Sequence, residues 1–440
     1  MNNSRSPVRS GQRASGEEIV KDYTLEPEHE LRFEVDFGTT VKLKLISGTA
    51  EIFGTEIGIA PEYEFTGRKV AVFTWRGTCS VEYVATETPM VSYLNMHLAL
   101  EQLREQAKIT NKQGPRVLIV GPEDVGKTSL SKILLSYALR QSHNPIFIDL
   151  DPNEGTITMP GTLSATSITH IIDVEEGFGS SATTAPSMGS TTLPLVYYYG
   201  YADSGENLKL FKMLTSQLAK VVKARIDEDA NARVSGLVID TNGLTDNTGY
   251  EIIQHCVELF YVNIIIVLGH ERLYSDMDRL YNDNNDVTVL KLLKSGGVVD
   301  RDNSFRRQLQ MRKIREYFYG TPKCELSPYS TIINFHDFSI YRVGVGSLAP
   351  SSALPIGIDR KVSETQLVKV EPDDSLSHSI VAISASETSD EVQLLEANIL
   401  GFIYVTEVDT AKHKMTVLSP CPGRLPNQFL LVGSFKWMES

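Results

Sequence analysis

The stretch "VLIVGPEDVGKTSLSKILLSYALR", residues 117–140, decides how this chain is read. Gly121 to Thr128 fills every fixed place of the pattern G-x-x-x-x-G-K-[ST]. An apolar run from Arg116 to Val120 enters the loop, and Leu130, Ile133, Leu134, Tyr137 and Ala138 follow it at helical spacing. Strand, glycine loop and helix in that order make a phosphate cradle. Glycine at 121 and 126 lets backbone N–H groups close around a β-phosphate, and the helix N-terminus adds partial positive charge. Lys127 is placed to bridge the β- and γ-phosphates, and the Thr128 hydroxyl to ligate Mg²⁺.

One helix later, "IFIDLDP" (146–152) ends a second apolar run in carboxylates. Ligands of parallel sheets sit at the carboxyl ends of the strands, so Asp149 or Asp151 falls beside the phosphates. Either is suited to hold a magnesium-bound water or to take the proton of an attacking hydroxyl. "GLVIDT" (236–241), with Asp240 near its end, is a further candidate of the same kind, although an aspartate at a strand end also serves as a plain loop cap. "SFRRQLQMRKIREYFYG" (304–320) brings Arg306, Arg307, Arg312, Lys313 and Arg315 together. Arginines that close over a γ-phosphate spread its transition-state charge, while the same residues equally suit a solvated face paired with carboxylates. On an ideal helix positions 307 and 312 point about 140° apart, so not all of them meet one phosphate.

The rest of the chain bounds these readings. Its 440 residues suffice for several domains, and 41% apolar with 22% charged residues is ordinary globular composition. Net charge of −13 supplies no general field for nucleic acid, so any RNA must be gripped by a local basic patch. Cys79, Cys256, Cys324 and Cys421 form no C-x-x-C pair, against a zinc site or disulfide frame and for a reducing compartment. No run of about 18 apolar residues is present, so no membrane span is expected. Nine scattered histidines suggest no Ser/His/Asp set, and no clear N-K-x-D guanine reader is present.

Residues 1–18 read as a disordered tail without an apolar signal region. Residues 19–92 alternate with period two, placing Phe33, Val35 and Phe37 on one face and Val41, Leu43 and Leu45 on another, as in a small antiparallel β domain. Residues 93–113 read as a linker helix. Between 114 and 325, continuous apolar runs alternate with helical stretches, the pattern of a parallel sheet covered on both faces. From 326 to 440 alternating strands return in a second β-rich domain. The expected fold class is α/β: a central P-loop domain with a parallel sheet, flanked by N-terminal and C-terminal β-rich domains. The Ser/Thr-rich stretch 177–192 and the acidic "SASETSDEVQ" (384–393) read as mobile loops.

Together these residues resemble the polynucleotide 5′-hydroxyl kinases of the pre-mRNA cleavage-factor type. The resemblance covers nearly the whole chain. It is carried by "ELRFEVDFG", "GTAEIFGTEIG", "KVAVFTW", "GPEDVGKTSL", "DLDPNEG", "MPGTLSA", "DVEEGF", "KSGGVV", "IREYFYG" and "LSPCPGRLPNQFLL". It implies ATP with Mg²⁺ as cofactors, with the ATP base held by Glu30 and Lys69. It places phosphate-loop contacts on Asp124, Val125, Gly126, Lys127, Thr128 and Ser129, and the general base and a metal contact on Asp151. An arginine lid falls on the segment from Arg306 to Arg315, Arg307 and Arg312 included. It further implies a nuclear location in the machinery that cleaves and polyadenylates pre-mRNA. The implied partners are the large polymerase-tail-binding subunit, other 3′-end processing subunits, and RNA.

The chain departs from active relatives at three places. Glu154 stands where they carry Gln, which adds repulsion beside Asp151 and a triphosphate. Leu244 replaces the Trp of T-x-G-W, which stacks on an RNA base; stacking of that kind is worth about 1–3 kcal/mol. Gln310 stands where relatives can carry a further lid arginine. An intact ATP site beside a damaged acceptor site favours ATP as a structural ligand that joins domains and supports partner docking. The alternative is a working 5′-hydroxyl kinase.

Overall fold

The structure, a computed structural model, describes residues 24–75, 84–85, 88–175, 177–178, 193–321, 324–344 and 367–438. The N-terminal tail, most of the Ser/Thr-rich stretch and Cys79 lie outside the described residues.

The P-loop strand Arg116–Val120 is a continuous apolar run because both its faces are covered; Val117 to Val120 are fully buried. It lies between Leu237–Thr241 and Ile264–Leu268, parallel to both. The full sheet runs Leu195–Tyr198, Thr162–Ser167, Ile146–Leu150, Leu237–Thr241, Arg116–Val120, Ile264–Leu268, Thr288–Leu292. One strand departs from the parallel expectation: Thr162–Ser167 is antiparallel to both neighbours. Its sequence, "TLSATS", conceals it, because its hydroxyls are satisfied inside; Thr162 Oγ1 donates to the Met159 carbonyl at 2.7 Å. Leu163 and Ala165 then join the core with Leu210, Phe211, Leu214 and Leu218 of the helix Leu208–Glu228. The other sheet face is covered by the P-loop helix Lys127–Arg140 and the linker helix Met90–Thr110, through Tyr93, Met96, Leu100, Leu130, Ile133 and Leu134.

The N-terminal domain has a five-stranded sheet in the order Thr55–Ile57, Ala50–Ile52, Lys69–Thr74, His29–Glu34, Val84–Ala85, and a separate pair, Val41–Lys44 with Glu62–Phe65. Leu31, Val35, Leu43, Leu45, Ile52, Phe65 and Val72 close its core. Two residues leave the expected alternation. Phe37 turns out of the domain to meet the Phe305 ring edge-on at 5.2 Å, and Val41, at the outer end of the two-stranded pair, is 38% exposed. A buried polar bolt ties this domain to the P-loop helix: the Glu51 carboxylate accepts from the Tyr137 hydroxyl and, at 3.1 Å, from Arg140.

The C-terminal domain is one seven-stranded sheet, Tyr329–Asn334, Lys414–Ser419, Ile399–Asp409, Ser379–Ser384, Phe429–Lys436, Ser339–Val343, Leu367–Val370. Only Ser339–Val343 and Phe429–Lys436 run parallel among its described pairs. One face shares the core of the P-loop domain: Trp437 stacks on Phe318 at 5.9 Å and 10°, and Phe402 meets Tyr198 at 6.1 Å. The acidic stretch expected as a loop instead enters the short helix Glu391–Glu396, because Asp390 caps it and Leu394 and Leu395 are buried. Trp437→Ala removes the ring that joins the two domains. It should lower unfolding stability by about 3–5 kcal/mol, read as a fall in the urea midpoint. An unmoved midpoint would show that the C-terminal sheet is held elsewhere.

Candidate functional site

The phosphate loop takes its shape from one close approach. Gly121 has φ +154°, and a Cβ there would stand 2.5 Å from the Leu268 carbonyl of the neighbouring strand. Val125, 4% exposed, anchors the loop in the core beside Leu268. Asp124 sits at φ +53° at the loop crown, and its carboxylate is buried. Lys127 is buried, and its Nζ donates to the carbonyls of Gly121 at 3.2 Å and Pro122 at 2.6 Å. Burial pulls its pKa down, against the attraction of Asp240 and Asp151. Gly126, Thr128 and Ser129 line the cleft beside it.

Three aspartates crowd the strand ends, and their surroundings assign them different work. Asp149 and Asp240 are register partners on adjacent strands. Asp149 accepts from the backbone N–H groups of Asp151 and Thr156, both at 3.0 Å, and shapes the loop. Burial and then Asp151 and Asp240 raise its pKa well above the carboxylate range. Asp240 is fully buried, with its pKa pushed up to about 6 by burial, partly offset by the Thr128 hydroxyl and Lys127. Its Oδ2 has no hydrogen-bond partner of good geometry. A buried carboxylate oxygen left open beside Thr128 suits a magnesium-bound water. Asp151 lines the cleft, accepts from the Asn153 N–H at 2.9 Å, and is pushed up to about 7 by burial and by Glu154.

The lid segment closes over this centre through arginines whose positions the sequence only partly indicated. Asp302 caps the helix Asn303–Tyr319, accepting from the Phe305 N–H at 2.7 Å. Just before it, Arg301 donates from Nε to Asp124 at 2.6 Å and from its backbone N–H to the same carboxylate at 2.8 Å. Its remaining amino group meets Glu154 at 2.6 Å. Arg306 reaches Asp124 at 2.6 Å and also pairs with Glu123. Burial would raise the Asp124 and Glu154 carboxyls, but the guanidinium contacts hold both below their ordinary range. Arg307 is exposed at the cleft wall and makes no ion pair or hydrogen bond among the described residues. Arg312 is turned toward the N-terminal domain, donating to the Thr66 carbonyl and, at 2.9 Å, to Glu316. Arg315 is exposed and outside the cleft lining. Gln310 donates to the backbone and side-chain oxygens of Asn153 at 3.1 and 2.6 Å, which steadies the loop that carries Asp151.

At the opposite end the N-terminal domain supplies Glu30 and Lys69 to the same cleft, whose volume is about 1350 Å³. Glu30 is 5% exposed, paired with Arg32 at 3.2 Å and bonded by the Thr88 hydroxyl at 2.8 Å. Arg32 reaches over to Ser295 at 3.1 Å and lies across Gly297, where a Cβ would stand 2.1 Å from its Cδ. Lys69 pairs with Glu34 at 3.3 Å and lies over the Phe305 ring at 5.3 Å. Phosphate loop, neutral-range Asp151 and lid arginines thus face one space between two domains, with the buried Asp240 carboxylate behind Thr128.

Sequence reasoning passed over Arg301 and Lys132. Arg301 stands between the glycine pair and the helix cap, where no periodicity marks it. Lys132 follows Thr128 by four residues and so shares its helix face. Leu244, expected from the resemblance at a stacking position, is 2% exposed and packed in the core. Gly249 lies so close that a Cβ there would be 2.8 Å from the Leu244 Cα. Leu244→Trp should therefore overpack the site, lowering stability by about 1–3 kcal/mol in urea unfolding without improving RNA binding. Tighter RNA binding at unchanged stability would contradict that reading.

Three family descriptions match the chain: the N-terminal beta-sandwich domain of polyadenylation factor over residues 24–107, the P-loop of mRNA cleavage and polyadenylation factor CLP1 over 121–320, and pre-mRNA cleavage complex II protein Clp1 over 326–439. The mRNA cleavage and polyadenylation factor clp1 of Botryotinia fuckeliana is 44% identical, with 95% of this chain and 93% of that protein covered. The human polyribonucleotide 5′-hydroxyl-kinase Clp1 is 42% identical, with 95% and 96% covered. Among solved structures, Clp1p in its complex with Pcf11p (454–563) superimposes with a TM-score of 0.84 at 31% identity, covering 95% of this chain and 98% of that one. A second Clp1p structure, which addresses an extended Pcf11p interface and ATP loss in a glycine-to-arginine point mutant, gives 0.85 at 30% identity, covering 95% and 99%.

Proposed function

The chain belongs to the Clp1 family of mRNA cleavage and polyadenylation factors, with a kinase-type P-loop, and on that premise we propose that its cleft holds ATP chiefly as a structural ligand. The triphosphate would rest on the backbone of Gly121 and Asp124 to Ser129, with Lys127 on the β- and γ-phosphates. Thr128 and Asp240, with Asp151 nearby, would hold Mg²⁺, which supplies charge neutralisation between phosphate oxygens. Glu30 and Lys69 would meet the base. One observation carries the reading: Arg301 bonds at once to Asp124 on the phosphate loop and Glu154 on the loop of Asp151. That contact closes the lid on carboxylates of the protein itself rather than leaving its arginine to the reacting phosphoryl.

ATP spanning the N-terminal and P-loop domains stabilises their joined form by mass action, by about 2.7 kcal/mol at a hundredfold excess over Kd. The joined form is the surface offered to partners. Likeness to Clp1p in its complex with Pcf11p supports a partner of that kind. On the family resemblance, that partner is the large polymerase-tail-binding subunit, met in the nucleus among other 3′-end processing subunits. Lys127→Ala with Thr128→Ala should abolish co-purifying ATP, lower Tm by about 3 °C, and weaken partner capture. A variant without ATP but with unchanged Tm and capture would sink the structural role.

A second reading, the 5′-hydroxyl kinase, is favoured by one observation: Asp151 faces the cleft with its pKa near 7, suited to a general base at neutral pH. The base acts only when deprotonated, so activity from this group rises as pH passes upward through about 7. Glu154→Gln removes one carboxylate from Arg301 and one negative charge beside Asp151. It should raise transfer of labelled γ-phosphate to 5′-hydroxyl RNA by about tenfold, or 1.4 kcal/mol, if that ion pair is the restraint. Absence of labelled RNA in both forms across that pH range would leave no kinase.

A further inference from the structure

We propose that Glu101, Glu105 and His143 form a site for a divalent first-row transition metal, zinc before others, that clasps the linker helix to the segment following the P-loop helix. The three residues stand outside the lining of the nucleotide cleft, so the site does not depend on what the cleft holds.

Two elements bring the ligands together. Glu101 and Glu105 are one turn apart on the helix Met90–Thr110, so their carboxylates share a face. His143 follows the end of the P-loop helix Lys127–Arg140. Ser142 turns the chain there at φ +63°, and the His143 N–H donates to the Ala138 carbonyl at 3.1 Å, which fixes where the imidazole enters. That side chain is 8% exposed, and its Nε2 stands 2.6 Å from Glu101 Oε1. The ligating atoms of all three residues lie within 4.8 Å of one another. Tetrahedral zinc with bonds of about 2.0–2.2 Å sets its ligand atoms about 3.3–3.6 Å apart. The exposed side chain of Glu105 is free to close that difference.

The charges call for a cation. Two carboxylates at this helical spacing repel. Arg104 answers one of them: its Nη1 meets Glu101 Oε2 at 3.2 Å while its Nε donates to the Ser235 carbonyl at 3.0 Å. Glu101 Oε1 is left to face His143, and Glu105 makes no hydrogen bond or ion pair among the described residues. With a neutral imidazole the group carries one net negative charge, and a dication turns the repulsion into attraction. His143 offers the Nε2 lone pair when its ring proton sits on Nδ1. A second observation comes from His97, one turn before Glu101 and 4% exposed, whose ring meets Tyr137 of the P-loop helix edge-on at 5.3 Å. Its Nδ1 has no hydrogen-bond partner among the described residues. Burial and then Arg104 keep that ring neutral, and Glu101 and His143 also act on it, which sets it beside the cluster. Buried nitrogens without a partner are rare, and a water in the fourth position of the metal is the kind of partner this one lacks. One imidazole with two carboxylates suits zinc and its first-row neighbours, whereas magnesium prefers oxygen ligands alone. The scattered cysteines argue against a thiolate zinc site; this one needs none.

A plain network of hydrogen bonds and ion pairs at this seam makes a different prediction. The test uses the full chain, treated with a chelator and returned to excess Mg²⁺ without free nucleotide. It is titrated with ZnCl₂ by calorimetry and with Co²⁺ by visible absorption. One Zn²⁺ per chain should bind despite millimolar Mg²⁺, and at a hundredfold excess over Kd it should raise Tm by about 3 °C. Glu105→Gln should weaken Zn²⁺ binding by about a hundredfold, at least what the loss of an outer-shell partner costs. Glu105→His should retain binding with an altered Co²⁺ spectrum, because it exchanges one ligand for another. His143→Gln should weaken binding as Glu105→Gln does; should it fold poorly, the two variants at the exposed position 105 still decide. Equal Zn²⁺ affinity in the unmutated chain and in Glu105→Gln would overturn the site, as would the absence of Zn²⁺ binding. Displacement of Zn²⁺ by an equal concentration of Mg²⁺ would overturn the transition-metal assignment.

Discussion

Arg301 gathers the centre of this molecule with one guanidinium. Asp124 on the phosphate loop takes two of its bonds, and Glu154 on the loop of Asp151 takes another. Burying three charges in one cluster costs desolvation, which is recovered because each carboxylate is met by charge-assisted bonds. The consequence is mutual: the attraction raises the guanidinium pKa beyond its already high value and lowers both carboxyls. Lid, phosphate loop and the loop of Asp151 are thereby fixed relative to one another, and the cleft acquires its shape.

The same constraint explains why neighbouring groups differ so sharply. Glu154 stays ionised because it has Arg301, and its charge beside Asp151 helps push that carboxyl up to about 7. Two carboxylates three positions apart thus separate into an anchored anion and a group that titrates near neutrality, the arrangement from which acid–base chemistry is usually built. Whether that chemistry is used depends on the lid. With Arg301 and Arg306 engaged by Glu123, Asp124 and Glu154, the guanidinium groups beside the phosphate loop already have partners. Lys132, by contrast, lines the cleft with no hydrogen bond or ion pair among the described residues.

Domain architecture turns this chemistry into assembly. Glu30 and Lys69 come from the N-terminal sheet, Lys127 and Asp151 from the P-loop domain, and the Phe305 ring from the lid joins both through Lys69 and Phe37. On the proposed reading, a nucleotide in such a place would be a third surface between two domains, and its binding energy would add to their adhesion. The C-terminal sheet is joined differently, through the dry stack of Phe318, Trp437 and Tyr404. It shares the core of the P-loop domain and, like the N-terminal domain, also reaches the cleft, through Ser434, Phe435 and Lys436.

Whatever depends on local spacing was legible in the sequence alone. Gly121 and Gly126 at fixed places, an apolar strand before them and a helical stripe after them leave one outcome, because backbone sterics and helix periodicity act over few residues. The three β-rich or α/β segments and the carboxylates at strand ends were legible for the same reason. Tertiary structure decided what depends on which residue arrives opposite another. Thr162–Ser167 is a strand whose Thr162 hydroxyl finds a partner inside, and Phe37, beyond the end of strand His29–Glu34, turns to meet Phe305. Leu244 is core rather than surface, and Arg312 faces Thr66 rather than the phosphates, each by packing that no spacing encodes. Arg301 had no pattern to announce it. Its role follows from Asp124, 177 residues away, being turned toward it by a positive φ in the phosphate loop.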